Sequence, residues 1–71
     1  YEVDFVIESG RNCMAIEVKS SARWEKRDLS GLEAFIAATP HCRAAVLCYN
    51  GEEAVRLGDN IWALPLGLVL S

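Results

Sequence analysis

The 71-residue chain has no apolar run long enough to cross a bilayer. Its longest, residues 61–70, contains Pro65 and Gly67, and a spanning helix needs about 20 apolar residues. No charged leader followed by an apolar segment stands at the N-terminus, so no secretion signal is read. A cytoplasmic protein without membrane association is expected. Cysteine is odd in number. Cys13, Cys42 and Cys48 form no C-x-x-C spacing, whereas disulfide frameworks and zinc ribbons use even sets at close intervals. Small buried thiols in a reducing compartment are the favoured reading. His41 beside Cys42 suggests a metal pair or a Cys–His nucleophile, yet both follow Pro40 in a loop, and a structural role is preferred. Basic excess is missing too: the net charge of -3 argues against a simple nucleic-acid binder. Internal repeats, linkers and low-complexity tracts are absent.

What is present is an apolar fraction of 52%, too high for a disordered chain. A chain this short has little interior to fill and lies near the limit for folding alone. Tyr1 in place of Met, with a strand-like pattern from Glu2, is expected of a segment cut from a longer protein. Residues 2–8 alternate, with Val3, Phe5 and Ile7 on one side and Glu2, Asp4, Val6 and Glu8 on the other. That period of two predicts a strand with one face in the core. Ser9-Gly10-Arg11-Asn12 supplies turn chemistry. Residues 13–19 alternate again, Met14, Ile16 and Val18 opposite Cys13, Ala15, Glu17 and Lys19. The two runs predict an antiparallel hairpin.

Residues 20–27 read as a polar loop. A helix follows, with Asp28 or Ser30 as N-cap; Ser30-Gly31-Leu32-Glu33 fits a capping box. Leu29, Leu32, Phe35 and Ile36 share one helical face, and Pro40 ends the helix. Ala44-Ala45-Val46-Leu47-Cys48 suits a strand buried on both faces. Strand, helix, strand reads as a crossover that sets this strand parallel to the second. Residues 54–57 and 61–64 are expected to be short and extended, with a last helical turn from Pro65 to Leu70. The fold class is α/β: a small mixed β-sheet with a β-β-α-β core plus a tail.

Two groups of residues bear on chemistry. Lys19, Arg23, Lys26 and Arg27 place four of the seven positive charges in nine residues, around Trp24. Basic residues with an interleaved aromatic suit a phosphate backbone, although a solvated loop is the commoner use. In the hairpin, Glu17 and Lys19 share a face, and a short turn brings Asp4 towards them. Two close carboxylates repel unless a cation lies between them. Mg²⁺ takes carboxylate oxygens, keeps several waters and leaves positions for phosphate, while a lysine stabilises developing phosphoryl charge or orients water. Asp4, Glu17 and Lys19 therefore suit hydrolysis of a phosphodiester. An ordinary salt-bridge ladder uses the same spacing, though an ion pair in a central strand gains little.

Asp4 followed by Glu17-Val18-Lys19, a helix and an apolar strand resembles the PD-(D/E)XK nuclease-like superfamily. The blocks Glu2-Val3-Asp4-Phe5, Ile16-Glu17-Val18-Lys19-Ser20, Asp28-Leu29-Ser30-Gly31-Leu32 and Ile61-Trp62-Ala63-Leu64-Pro65 are similar, more closely, to the uncharacterised C-terminal domain of prokaryotic AAA-type ATPases. The resemblance covers nearly all of residues 1–71. It implies a single nuclease-like C-terminal domain fragment of a longer ATPase chain, with a restriction-endonuclease-like fold whose first helix is missing. It also implies metal ligation by Asp4, Glu17 and the Val18 carbonyl, with Lys19 assisting catalysis and Mg²⁺ or Mn²⁺ as cofactor. No Gly-x-x-x-x-Gly-Lys-Ser/Thr loop occurs here, so these residues are not the ATPase, and the fragment alone is expected to be inactive. Expected partners are DNA or RNA, met through Arg23, Trp24, Lys26 and Arg27, and the ATPase module of the same chain. A homodimer through an exposed sheet edge is also expected. The alternative is a non-catalytic module that binds nucleic acid or protein and regulates the ATPase.

Overall fold

The computed structural model describes residues 3–70. Its elements are β1 (Phe5–Ser9), β2 (Asn12–Lys19), a short 3-10 turn (Lys26–Leu29), α1 (Ser30–Ala38), β3 (Cys42–Tyr49), β4 (Val55–Arg56), β5 (Ile61–Pro65) and α2 (Leu66–Leu70). They form one mixed five-stranded sheet of order β1-β2-β3-β5-β4. The hairpin between β1 and β2 pairs Phe5 with Ile16 and Ser9 with Asn12, and Gly10 turns it at φ 61°, a conformation that costs a residue with a Cβ. β3 lies parallel to β2, with Ala15 opposite Ala45 and Lys19 opposite Tyr49, as the crossover through α1 requires. β5 adds parallel to β3, and β4 folds back antiparallel on β5. Glu2, which the alternating pattern assigns to the first strand, lies outside the described residues.

The core forms between α1 and one face of the sheet. Leu29 and Leu32 bury against Cys13, Ala15, Cys42, Ala45 and Leu47, with Phe35 and Ile36 half-buried beside them. The small side chains of Cys13 and Ala15 let the helix approach β2 closely. The apolar face predicted to be the inner one is thus reversed on the hairpin. Phe5 is 59% exposed, Ile7 50% and Val18 42%, because α1 covers the opposite side of β2. A bend at Asp4 also breaks the alternation: Val3 packs against the core cluster while Phe5 and Ile7 do not. Ala45 to Tyr49 are all buried, as expected of a central strand. Val46 and Cys48 point away from α1, and α2 packs on β3 and β5.

The helix start differs from the capping pattern. Ser30 has helical angles and its hydroxyl donates back to the Arg27 carbonyl at 3.0 Å. The 3-10 turn ahead of it makes a Ser30 cap unnecessary, since its carbonyls meet the first amides of α1. Asp28 caps in the other direction: its Oδ2 accepts from the Glu25 amide at 2.6 Å. α1 ends at Ala38, ahead of Pro40, and α2 begins one residue after Pro65. No helix among the described residues is long and apolar enough to cross a membrane.

Candidate functional site

Asp4 lies just before β1, and the antiparallel register places it beside the Glu17–Val18 segment of β2. The Val18 amide donates to Asp4 Oδ2 at 2.7 Å. The hairpin thus brings the Asp4 carboxylate to the one stretch of β2 flanked by both Glu17 and Lys19. Asp4 is exposed, while Glu17 and Lys19 are half-buried on the face of β2 that also carries Cys13 and Ala15. Oxygen donors on this segment are the Asp4 and Glu17 carboxylates and the Val18 carbonyl. That hard set suits Mg²⁺, which completes its octahedron with water. No group of three or more His, Cys, Asp or Glu side chains suited to a metal converges among the described residues, so any cation there depends on the carbonyl and on solvent.

Lys19 is engaged by an acid outside the hairpin. Its Nζ is 2.9 Å from Asp28 Oδ2, with both side chains largely shielded. The Lys19 ammonium, the Glu25 amide and the nearby Arg27 charge hold the Asp28 carboxyl below its ordinary range. Asp28 reads from the sequence as a helix cap alone, and its second role was missed. The signal lay in the topology: Lys19 ends a strand whose inner face receives the helix that Asp28 precedes.

The residues of the basic run differ in their surroundings. Arg23, Lys26 and Arg27 are exposed, but Arg27 Nε lies 2.8 Å from Glu25 Oε2, and both are well solvated. Trp24 is half-buried and packs against the core cluster. Arg23 and Trp24 line a concavity of about 760 Å³ together with Tyr49 and the loop after β3. His41 is exposed while Cys42 is buried, its thiol donating to the Ala44 carbonyl at 3.3 Å. All three cysteines are buried free thiols, as the sequence suggested. Burial, then a hydrogen bond with Cys42, pushes the Cys13 thiol up, and burial raises Cys48 as well.

The sequence profile of one family, described as a domain of unknown function (DUF4143), matches residues 1–69. The chain belongs to that family. No curated protein and no solved structure matches it. A domain of unknown function assigns no activity, so a functional reading has to rest on the chemistry of the hairpin.

Proposed function

We propose that the chain is a nuclease-like domain of the PD-(D/E)XK type, acting on the phosphodiesters of DNA or RNA and joined in its parent protein to an AAA-type ATPase. The observation that carries this reading is the Asp4 carboxylate on the Val18 amide at 2.7 Å, which joins the two halves of the signature across the hairpin. Asp4, Glu17 and the Val18 carbonyl are the ligands for Mg²⁺ or Mn²⁺. A bound ion would acidify a water ligand and offset phosphate charge. Lys19, at the end of the same strand, would leave Asp28 to orient water or to meet a phosphoryl oxygen. Arg23 and Trp24, with the exposed Lys26 and Arg27, are the side chains suited to nucleic acid. Calorimetric titration with Mn²⁺ should give one binding event in the wild-type chain and none in the Asp4→Ala/Glu17→Ala variant. Absence of binding in both would refute the metal site. Cleavage is assayed on the protein that includes the ATPase.

The Lys19–Asp28 pair favours a second reading, a non-catalytic module that regulates the ATPase by binding nucleic acid or protein. A lysine held by a carboxylate of the 3-10 turn serves a structural pairing. If Asp28→Asn leaves cleavage by the parent protein unchanged and Lys19→Met also does, the regulatory reading stands and the hydrolytic one falls.

A further inference from the structure

The concavity of about 760 Å³ opens where the parallel strands β2 and β3 end. Arg23 and Trp24 come from the loop after β2, Tyr49 from the last position of β3, and Asn50, Glu52 and Glu53 from the loop that follows. The space outside the carboxyl ends of parallel strands is where open α/β sheets hold ligands. The two loops are tied to each other, since the Asn50 amide donates to the Ser21 carbonyl at 2.9 Å. Tyr49 is a fixed part of the lining: it is 5% exposed, and its hydroxyl donates to the Glu53 carbonyl at 2.6 Å. Gly51 lies so close to the Tyr49 ring that a Cβ there would overlap it.

The lining has a particular chemistry. Trp24 is anchored on the core and half-exposed, with the exposed guanidinium of Arg23 next to it in sequence. The other loop supplies an amide and two carboxylates. An indole suits a planar π-face, a guanidinium suits a phosphate, and amide or carboxylate oxygens accept from exocyclic amino groups. A purely apolar ligand would leave those polar groups unmatched, and a simple anion would gain nothing from the indole while meeting two carboxylates. Asp4, Glu17 and Lys19 do not line the pocket, yet Lys19 and Tyr49 are Cα partners on adjacent parallel strands. Their side chains share a face, one strand spacing of about 4.8 Å apart. The pocket thus opens at the same end of the sheet as the hydrolytic residues, while the Lys19 ammonium itself is held by Asp28.

We propose that this pocket seats one unstacked nucleobase, stacked on Trp24, with its phosphate on Arg23, so that the domain takes single-stranded rather than duplex nucleic acid. The inference rests on the nucleic-acid reading above and names its substrate class. A base inside a duplex is stacked on both faces and cannot enter such a site without being extruded.

The test is fluorescence anisotropy on the full chain, in chelator so that the metal site plays no part. The probes are a labelled mixed-sequence single strand of DNA or RNA, the same sequence as a duplex, and adenosine monophosphate as competitor. The single strand should bind in preference to the duplex. Trp24→Leu, which keeps apolar bulk against the core, should weaken it roughly 5- to 150-fold, as loss of one base stack does, and Trp24→Phe should recover most of that. Arg23→Gln, a change at an exposed residue, should weaken binding and flatten its salt dependence, and it serves if Trp24→Leu fails to fold. Equal affinity in wild type and either variant, or preference for duplex, would overturn the proposal. Competition by the mononucleotide as effective, per base, as that of the single strand would assign the seat to free nucleotides and overturn the polynucleotide substrate. The Mn²⁺ titration keeps the two readings apart. Metal binding without Trp24-dependent affinity sinks the base seat alone, and the reverse result sinks only the hydrolytic site.

Discussion

Replacing Gly51 by alanine probes the part of the fold that shapes the pocket. A Cβ at residue 51 would overlap Cε2 of Tyr49 and stand 2.7 and 2.8 Å from Cζ and Cδ2, so either the ring or the loop must move. The ring has little freedom, because Tyr49 is buried and its hydroxyl is held by the Glu53 carbonyl. Overpacking at such a contact costs about 1–3 kcal/mol, and losing the hydroxyl bond adds about 0.5–1.5 kcal/mol. A total of about 2–4 kcal/mol is expected, against a global stability of about 4–11 kcal/mol for a chain of this length. Two variants separate the contributions. Tyr49→Phe loses only the hydrogen bond and should cost about 0.5–1.5 kcal/mol. Gly58→Ala, where an added Cβ meets nothing within 4 Å, should be neutral or stabilising by up to about 1 kcal/mol through the unfolded chain. Urea denaturation followed by circular dichroism measures all three. A Gly51→Ala variant no less stable than Tyr49→Phe would mean that the ring yields freely, and the steric reasoning would be wrong.

The remaining expectations concern charge and burial. The folded state depresses the Asp28 pKa, so its contribution is present above the ordinary carboxylate range and is lost as pH falls through the depressed value. Asp28→Asn should therefore flatten the acid side of a stability-against-pH curve measured by thermal melts; an unchanged acid limb would show that the Lys19 pair contributes nothing. Leu32 is fully buried and Phe5 is 59% exposed. Leu32→Ala should cost about 2–5 kcal/mol, and Phe5→Ser should cost under about 1 kcal/mol; similar losses would place the core on the wrong face of β2. Sedimentation of the Phe5→Ser variant also tests self-pairing through β1, an edge strand with exposed Phe5, Val6 and Ile7. Wild-type association that the substitution abolishes supports a dimer, and a concentration-independent wild-type monomer refutes it.

Local pattern alone determined the element types and much of their order. The alternation on either side of Gly10 reads as a hairpin, the Leu29/Leu32/Phe35/Ile36 stripe as a helix, and the apolar run 44–48 as a central strand, because each periodicity matches one backbone geometry. The placement of Asp4 against the end of β2, where it meets the Val18 amide, was legible for the same reason, since hairpin register follows from the turn. Which face of β2 receives the helix was not legible. Both faces of that strand carry apolar side chains, and the choice depends on how closely α1 can approach the small Cys13 and Ala15. The Lys19–Asp28 pair and the pocket formed by Trp24, Tyr49 and Gly51 were beyond sequence pattern too. Lys19 meets Asp28 because α1 and the turn before it pack on the inner face of β2, and Trp24 meets Tyr49 and Gly51 because the parallel pairing of β2 with β3 brings the ends of those strands and their loops together.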